Sequence, residues 1–275
     1  MKVKGNIYEI YGKIQRVYLQ YAVGLVFGSL CCLGCHSSSL KQVEYDSKPT
    51  PLNNMVKEVV LGISVQGRPI TCNIFGNGDD VVLIIASIHG NETRGTPIIR
   101  HLGLYLENNP ELLNNRQVLL IPMANPDGMI LGTRYNANGI DLNRNFPAAN
   151  FSRGRRHGEF TLSEPESRAI YKTIQTYNPS RIVSIHQPKN CIDYDGPSQV
   201  LAKFMADCCN LYVRRIGGQS GSLGSYAGIS INIPIITVEL PKSASQLNSE
   251  DLWHKYGRML LAAITYPKPP PENIK

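Results

Sequence analysis

The sequence lacks a regular pattern of cysteines. Three of its seven cysteines lie within the first 35 residues, and the remainder of the chain holds only Cys72, Cys191, Cys208 and Cys209. These four have neither C-x-x-C spacing nor a repeated framework, which excludes a cysteine-type structural zinc site and a disulfide scaffold. A helical pattern surrounds the adjacent Cys208 and Cys209, so we expect them to contribute to core packing.

There is also no long run of basic residues. The net charge of +7 and the pI of about 9.0 favour contact with an anionic surface or polymer. However, the longest basic cluster is the short segment 153–156, and the other lysines and arginines are scattered. This distribution argues against a nucleic-acid partner.

The N-terminal segment is predicted to be a targeting leader. An apolar stretch at 18–34, short for a membrane span, follows four basic residues, Lys2, Lys4, Lys13 and Arg16. It ends at Gly34-Cys35 and resembles a bacterial lipoprotein processing site with Cys35 as the acylated residue, although Cys32 stands where an aliphatic residue is usual. The alternative is an uncleaved anchor helix. Either reading predicts contact with a membrane and location in the bacterial cell envelope, on the periplasmic side, rather than the cytoplasm.

The rest of the chain predicts one α/β domain. Apolar strand-like runs at 81–88, 118–123, 181–186 and 233–239 alternate with helical patterns at 96–113, 163–177, 199–213 and 249–266. Such alternation predicts a mixed, mostly parallel central sheet flanked by helices. We divide the chain into a leader (1–35), a tether (36–57), a folded α/β domain (58–266) and a Pro-rich tail (267–275).

Two further patterns concern local structure. Residues 163–166, Ser-Glu-Pro-Glu, predict a capping box at the start of a helix. The polar stretch 125–156 has neither helical nor strand periodicity, and a loop of that length inside a compact domain is usually functional.

Three of the apolar runs end in residues that can bind a metal or move a proton. His89 and Glu92 follow the first run, His186 ends the third and Glu239 ends the fourth. Two histidines and a glutamate form a catalytic zinc set with an open fourth position. Taken singly, each residue also fits a structural role: a turn histidine, a solvated helix-start glutamate, a satisfied core histidine or a strand-end ion pair.

Five motifs in order resemble those of the zinc metallocarboxypeptidases: HGNE at 89–92, NPDG at 125–128, GIDLNRNFP at 139–147, SIH at 184–186 and VEL at 238–240. The resemblance spans about 58–265. It implies one zinc ion held by His89, Glu92 and His186, and an attacking water promoted by Glu239. It further implies that Arg134 polarises the scissile carbonyl and that Asn143 and Arg144 hold a substrate carboxylate.

Departures from the digestive carboxypeptidases indicate another substrate. Segment 214–221 lacks the mobile tyrosine of those enzymes, and the loop between Asn125 and Asp141 is shorter than theirs. Segments 186–197 and 221–226 look like those of murein peptide amidases, which cleave between γ-D-glutamate and meso-diaminopimelate in cell-wall peptides. By that resemblance, Asp193 and Asp195 are candidates to bind the substrate's ammonium groups; a turn-forming Asp-Tyr-Asp-Gly is the alternative.

Three other functions remain open at this stage. The segment 89–95 is also similar to the acylamino-acid amidohydrolases related to aspartoacylase, which use the same zinc set, although the leader argues against a cytosolic metabolite enzyme. A general metallocarboxypeptidase is a second possibility. A non-catalytic lipoprotein that only holds wall peptides is the third, and the presence of a base beside an open metal position disfavours it.

Overall fold

The structure, a computed structural model, describes residues 56–272. The predicted leader, most of the predicted tether and the last three residues of the predicted tail lie outside the described residues. None of the helices within 56–272 combines the length and the hydropathy that crossing a membrane requires.

One mixed sheet forms the centre of the described region. Its strands in chain order are β1 (Val56–Ile63), β2 (Pro69–Gly76), β3 (Asp80–Ala86), β4 (Arg116–Ile121), β5 (Arg181–His186), β6 (Lys189–Asp195), β7 (Tyr212–Val213) and β8 (Ile235–Pro241). The spatial order is β1-β2-β4-β3-β5-β8-β6-β7. Strands β4, β3, β5 and β8 are parallel, whereas β1 and β2 form an antiparallel edge and β6 is antiparallel to β8. The predicted fold class is confirmed.

Helices flank this sheet. The α-helices are α1 (Gly95–Asn108), α2 (Pro126–Leu131), α3 (Pro165–Tyr177), α4 (Gln199–Ala206) and α5 (Ser249–Thr265). Short 3₁₀ segments lie at Pro110–Leu113, Leu142–Arg144 and Lys242–Gln246, and a π-helical segment lies at Ser225–Ser230.

Strand β3 is covered on both faces, as its unbroken apolar run predicts. Val82 and Ile84 belong to a core cluster built with α1, α4 and α5, whereas Leu83 and Ile85 belong to a second cluster that includes apolar residues of α3. Successive side chains of a strand point to opposite faces, so a strand between two helical layers is apolar throughout. The carboxyl end of β3 is therefore held rigidly, and the polar residues that follow it are positioned with it.

Two local predictions are wrong. The polar stretch after Asn125 is not structureless, because it begins with α2, whose first turn is capped by the Asn125 side chain accepting a 2.9 Å hydrogen bond from the Gly128 N–H. The capping box at 163–166 is absent, since α3 begins at Pro165 after Glu164 without a side-chain cap. The Glu164 and Glu166 carboxylates instead accept hydrogen bonds of 2.7 and 3.0 Å from the Asn136 amide. They thus tether the polar loop to the domain.

Candidate active site

Every predicted site residue lines one cavity at the carboxyl ends of the parallel strands. The cavity has a volume of about 700 Å³ and is lined by His89, Glu92, Arg134, Asn143, Arg144, His186, Asp193, Asp195 and Glu239, among others. His186 and Glu239 are direct neighbours in the β5–β8 register. Adjacent parallel strands end at the same edge of a sheet, which brings together residues that are far apart in sequence.

The turn after β3 has an unusual backbone that aims His89 and Glu92. Ser87 adopts a φ of +55°, and its hydroxyl lies 2.9 Å from the Thr96 hydroxyl at the start of α1. A Cβ at Gly90 would lie only 2.0 Å from the Gly128 carbonyl carbon in α2. Glycine is therefore required where this turn packs against the α2 backbone.

His89, Glu92 and His186 converge on one point. The Nδ1 atoms of the two histidines are 3.1 Å apart. The Glu92 carboxylate contacts both rings, with Oε1 2.9 Å from Nδ1 of His89 and Oε2 2.8 Å from Nδ1 of His186. All three residues are buried, and one ligand atom from each lies within 4.8 Å of the others.

The outward-facing nitrogens of both rings are held by a second layer of residues. Nε2 of His89 lies 3.0 Å from Asp141 Oδ1, and Nε2 of His186 lies 3.0 Å from the Ser184 hydroxyl. A carboxylate on the far side of a histidine fixes the ring so that the other nitrogen faces a metal. Asp141 belongs to the GIDLNRNFP motif, but the sequence analysis assigned it no role, because its contact with His89 is long-range.

The electrostatics keep the two carboxylates of this site, Glu92 and Asp141, ionised. Burial favours the neutral form of Glu92, but hydrogen bonds and charge from His186 and His89 outweigh it and hold the pKa of Glu92 well below its usual range. Asp141 behaves similarly, because its contact with His89 and the nearby Arg134 hold its pKa low despite burial. Burial would lower the pKa of His89, but hydrogen bonds with Asp141 and Glu92 raise it. The ligand carboxylate is therefore anionic at neutral pH.

This donor set fits zinc. Zn²⁺ takes imidazole nitrogen and carboxylate oxygen, and its catalytic sites use three protein ligands. Two Nδ1 atoms and one carboxylate that converge at about 3 Å, each ring backed by a hydrogen-bonding partner, match that chemistry. His89, Glu92 and His186 are accordingly the residues that would hold the ion.

Glu239 lies beside this cluster and is only 4% exposed. Its Oε1 is 3.0 Å from Nζ of Lys189, which is half-exposed and lines the same cavity. A buried carboxylate needs a partner, and the lysine supplies one. The sequence analysis found Glu239 from its strand-end position but missed Lys189.

The three candidates for binding the substrate's carbonyl and carboxylate lie near Asp141. Arg134 donates from Nε to Asp141 Oδ2 at 2.9 Å and from Nη1 to Glu92 Oε1 at 3.2 Å. Asn143 accepts a 2.8 Å hydrogen bond from the Leu223 N–H through its side-chain oxygen, which leaves the NH₂ group as a donor. Arg144 lines the cavity next to Asn143.

Asp193 and Asp195 are strand residues of β6 and not a turn, so the turn alternative is wrong for these two positions. Asp193 accepts a 2.7 Å hydrogen bond from the Ile216 N–H. Asp195 is 4% exposed as a residue and lines the cavity, and no donor among residues 56–272 makes a hydrogen bond to its carboxylate. Burial and the negative charge of Asp193 raise the pKa of Asp195 to about 6, against the opposing charge of Arg215. Asp195 is therefore a buried acid that lacks a partner within the described chain.

Comparison with known proteins agrees with this geometry. The zinc carboxypeptidase family profile matches residues 49–215, more than half of the chain. The chain belongs to the zinc carboxypeptidase family. It is 35% identical over 186 residues to murein peptide amidase A of Escherichia coli K12, covering 61% of this chain and 74% of that protein.

Two solved structures show the same fold. The murein-tripeptide amidase of E. coli O157 superposes with a TM-score of 0.61 at 28% identity, covering 77% of this chain and 93% of that one. The carboxypeptidase A of Helicoverpa armigera superposes with a TM-score of 0.63 at 21% identity, covering 78% and 70%. As a zinc carboxypeptidase family member, this chain is a metallopeptidase-type enzyme, and zinc is the metal that the family implies for its His-Glu-His cluster.

Proposed function

We propose that this enzyme hydrolyses the amide bond between γ-D-glutamate and meso-diaminopimelate in peptidoglycan-derived peptides, with one zinc ion. The observation that carries the proposal is Asp195, a buried acid without a partner in a cavity that also holds Arg144. Diaminopimelate carries both ammonium and carboxylate groups, so it matches a cavity with both charges. The similarity to murein peptide amidase A supports the same substrate class.

In this proposal each residue has a defined role. His89, Glu92 and His186 would hold the zinc ion, which would supply Lewis acidity towards a water molecule and the scissile carbonyl. Glu239 accepts a proton from the attacking water and passes it to the leaving amine. Arg134 keeps Nη2 free of hydrogen bonds to residues 56–272 and can stabilise negative charge developing on the carbonyl oxygen.

Asn143 and Arg144 would hold the carboxylate on the amine side of the bond. A guanidinium offers a planar pair of donors that matches a carboxylate, and the Asn143 NH₂ group adds a third. Asp195 would hold the distal ammonium of diaminopimelate, with Asp193 adding negative charge nearby.

The proposal is tested by incubating the zinc-loaded protein with L-Ala-γ-D-Glu-meso-diaminopimelate and identifying the products by mass. We expect L-Ala-D-Glu and free diaminopimelate. Turnover of N-acyl amino acids but not of this peptide would favour the aspartoacylase-related alternative. Removal of C-terminal residues from ordinary peptides would favour a general metallocarboxypeptidase, and zinc and peptide binding without hydrolysis would favour a wall-peptide-binding lipoprotein.

The role of Asp195 predicts a change in substrate preference. Wild type should prefer the diaminopimelate tripeptide over the same peptide with 2-aminopimelate, which lacks the distal amino group. We expect a ratio of at least ~10-fold in kcat/KM, because that is the contribution of a hydrogen bond to a charged group. Asp195→Asn should remove that preference. The preference of wild type should also grow from about pH 5 to about pH 7, as the Asp195 carboxyl ionises.

Asp207→Asn is the matched control, because Asp207 is an exposed residue at the end of α4. It should keep the preference of wild type. An Asp195→Asn enzyme that still discriminates as strongly between the two peptides would show that another group binds the ammonium.

We also propose that the enzyme is anchored on the periplasmic side of the envelope by acylation of Cys35. The support is the basic, apolar and Gly-Cys order of the first 35 residues. Cys35→Ser should move the protein from the membrane to the soluble fraction, because it removes the residue that would carry the acyl chains. Without those chains the protein would lack the multiple signals that stable anchoring requires. Cys32→Ser is the control. Unchanged partitioning of Cys35→Ser would favour an uncleaved anchor helix.

A further inference from the structure

The cavity has a lysine at the start of β6 that the proposed mechanism does not use. Lys189 begins β6 and Asp195 ends it. At about 3.3 Å per residue, the two Cα atoms are roughly 20 Å apart, so the residues define opposite ends of the cavity wall. Glu239 is paired with Cys191 between them. A substrate whose amine-side residue reaches Asp195 therefore extends its acyl side towards Lys189.

We infer that Lys189 binds the free α-carboxylate of the γ-linked glutamate on the acyl side of the scissile bond. This inference rests on the proposed function. In a γ-glutamyl amide, the α-carboxyl carbon is four bonds from the reacting carbonyl carbon, at most about 5 Å away. Nζ of Lys189 lies 3.0 Å from Oε1 of Glu239, the proposed base, which must itself lie beside that carbonyl. The carboxylate is therefore within reach of the lysine.

Lys189 has the capacity for this second contact. An ammonium group has three hydrogen-bond donors, and Glu239 accepts one of them. The side chain is half-exposed and lines the cavity, so its remaining donors are accessible to a ligand. Lys242 also lines the cavity and immediately follows Pro241, the cross-strand neighbour of Lys189. Two cations thus stand at the acyl end, where an ordinary α-peptide would present no carboxylate.

The test compares two peptides that differ only in this group: L-Ala-γ-D-Glu-meso-diaminopimelate and its counterpart in which the glutamate α-carboxylate is an amide. Wild type should prefer the acid by ~10-fold or more in kcat/KM. Lys189→Met should bring the ratio close to one, mainly by slowing hydrolysis of the acid. Lys189→Arg should retain most of the preference, because it keeps a cation that can donate. Lys172→Met, on the exposed face of α3, is the matched control.

The ratio of the two peptides separates this role from simple support of Glu239. If Lys189 only positions Glu239, Lys189→Met slows both peptides equally and the inference is overturned. Equal rates on acid and amide by wild type overturn it too, while leaving the proposed function intact. No cleavage of either peptide by wild type overturns the proposed function, and the inference fails with it.

Discussion

The Glu239→Gln enzyme should bind zinc and peptide as wild type does but lose at least ~10³-fold in kcat, or about 4 kcal/mol of transition-state stabilisation. Glutamine keeps the size of the side chain, and its amide oxygen can still accept from Lys189. It cannot take a proton from the attacking water at neutral pH. A loss confined to kcat is the signature of an interaction made only in the transition state.

Three measurements on the same preparation test this prediction: zinc per chain, peptide affinity and turnover of the tripeptide. Glu107→Gln is the matched control, since Glu107 is an exposed residue of α1 and should leave all three unchanged. If Glu239→Gln kept within about tenfold of the wild-type kcat, a different residue would have to activate the water. Loss of zinc in this variant would instead place Glu239 among the metal ligands.

The metal cluster could be predicted because its signals are local. Each of β3, β5 and β8 has an apolar run that ends at a sheet edge, and the polar residue that follows stands out against it. Five short motifs follow the order found in the zinc metallocarboxypeptidases, and this resemblance added an expected role for each site residue. What these signals do not contain is the contact between residues from different motifs. Asp141 is 52 positions from His89, and nothing in its own segment shows that it fixes that ring.

The wall of the cavity was harder to predict because its elements lack a regular pattern. Strand β6 reads KNCIDYD, in which charged and polar residues outnumber apolar ones, so no strand was predicted there. Lys189, Asp193 and Asp195 of this strand line the cavity, where function rather than core packing determines the side chains. The π-helical segment Ser225–Ser230 was missed as well, because its sequence also lacks a regular pattern. Its Gly228 packs tightly against Asp195 of the cavity wall. Lys189 was overlooked because the strand that carries it was not predicted.

Removal of a proposed zinc ligand should have the second large effect. His186→Ala should lower zinc affinity by more than ~10²-fold, because even loss of a residue that merely orients a ligand typically costs 10–100-fold. It would leave His89 and Glu92, a pair that is too small to complete a catalytic zinc site. We expect wild type to retain about one zinc per chain after dialysis and the variant to retain less than about a tenth of that.

Thermal unfolding gives a readout of the same ligand that does not depend on activity. A ligand at about 1,000 times its dissociation constant stabilises the folded state by about 4 kcal/mol, so zinc should raise the Tm of metal-stripped wild type but not that of His186→Ala. His254→Ala is the matched control, since His254 lies on α5 with its side chain 49% exposed. It should keep both the zinc and the shift in Tm. Wild-type zinc content in His186→Ala would rule out His186 as a ligand of the metal.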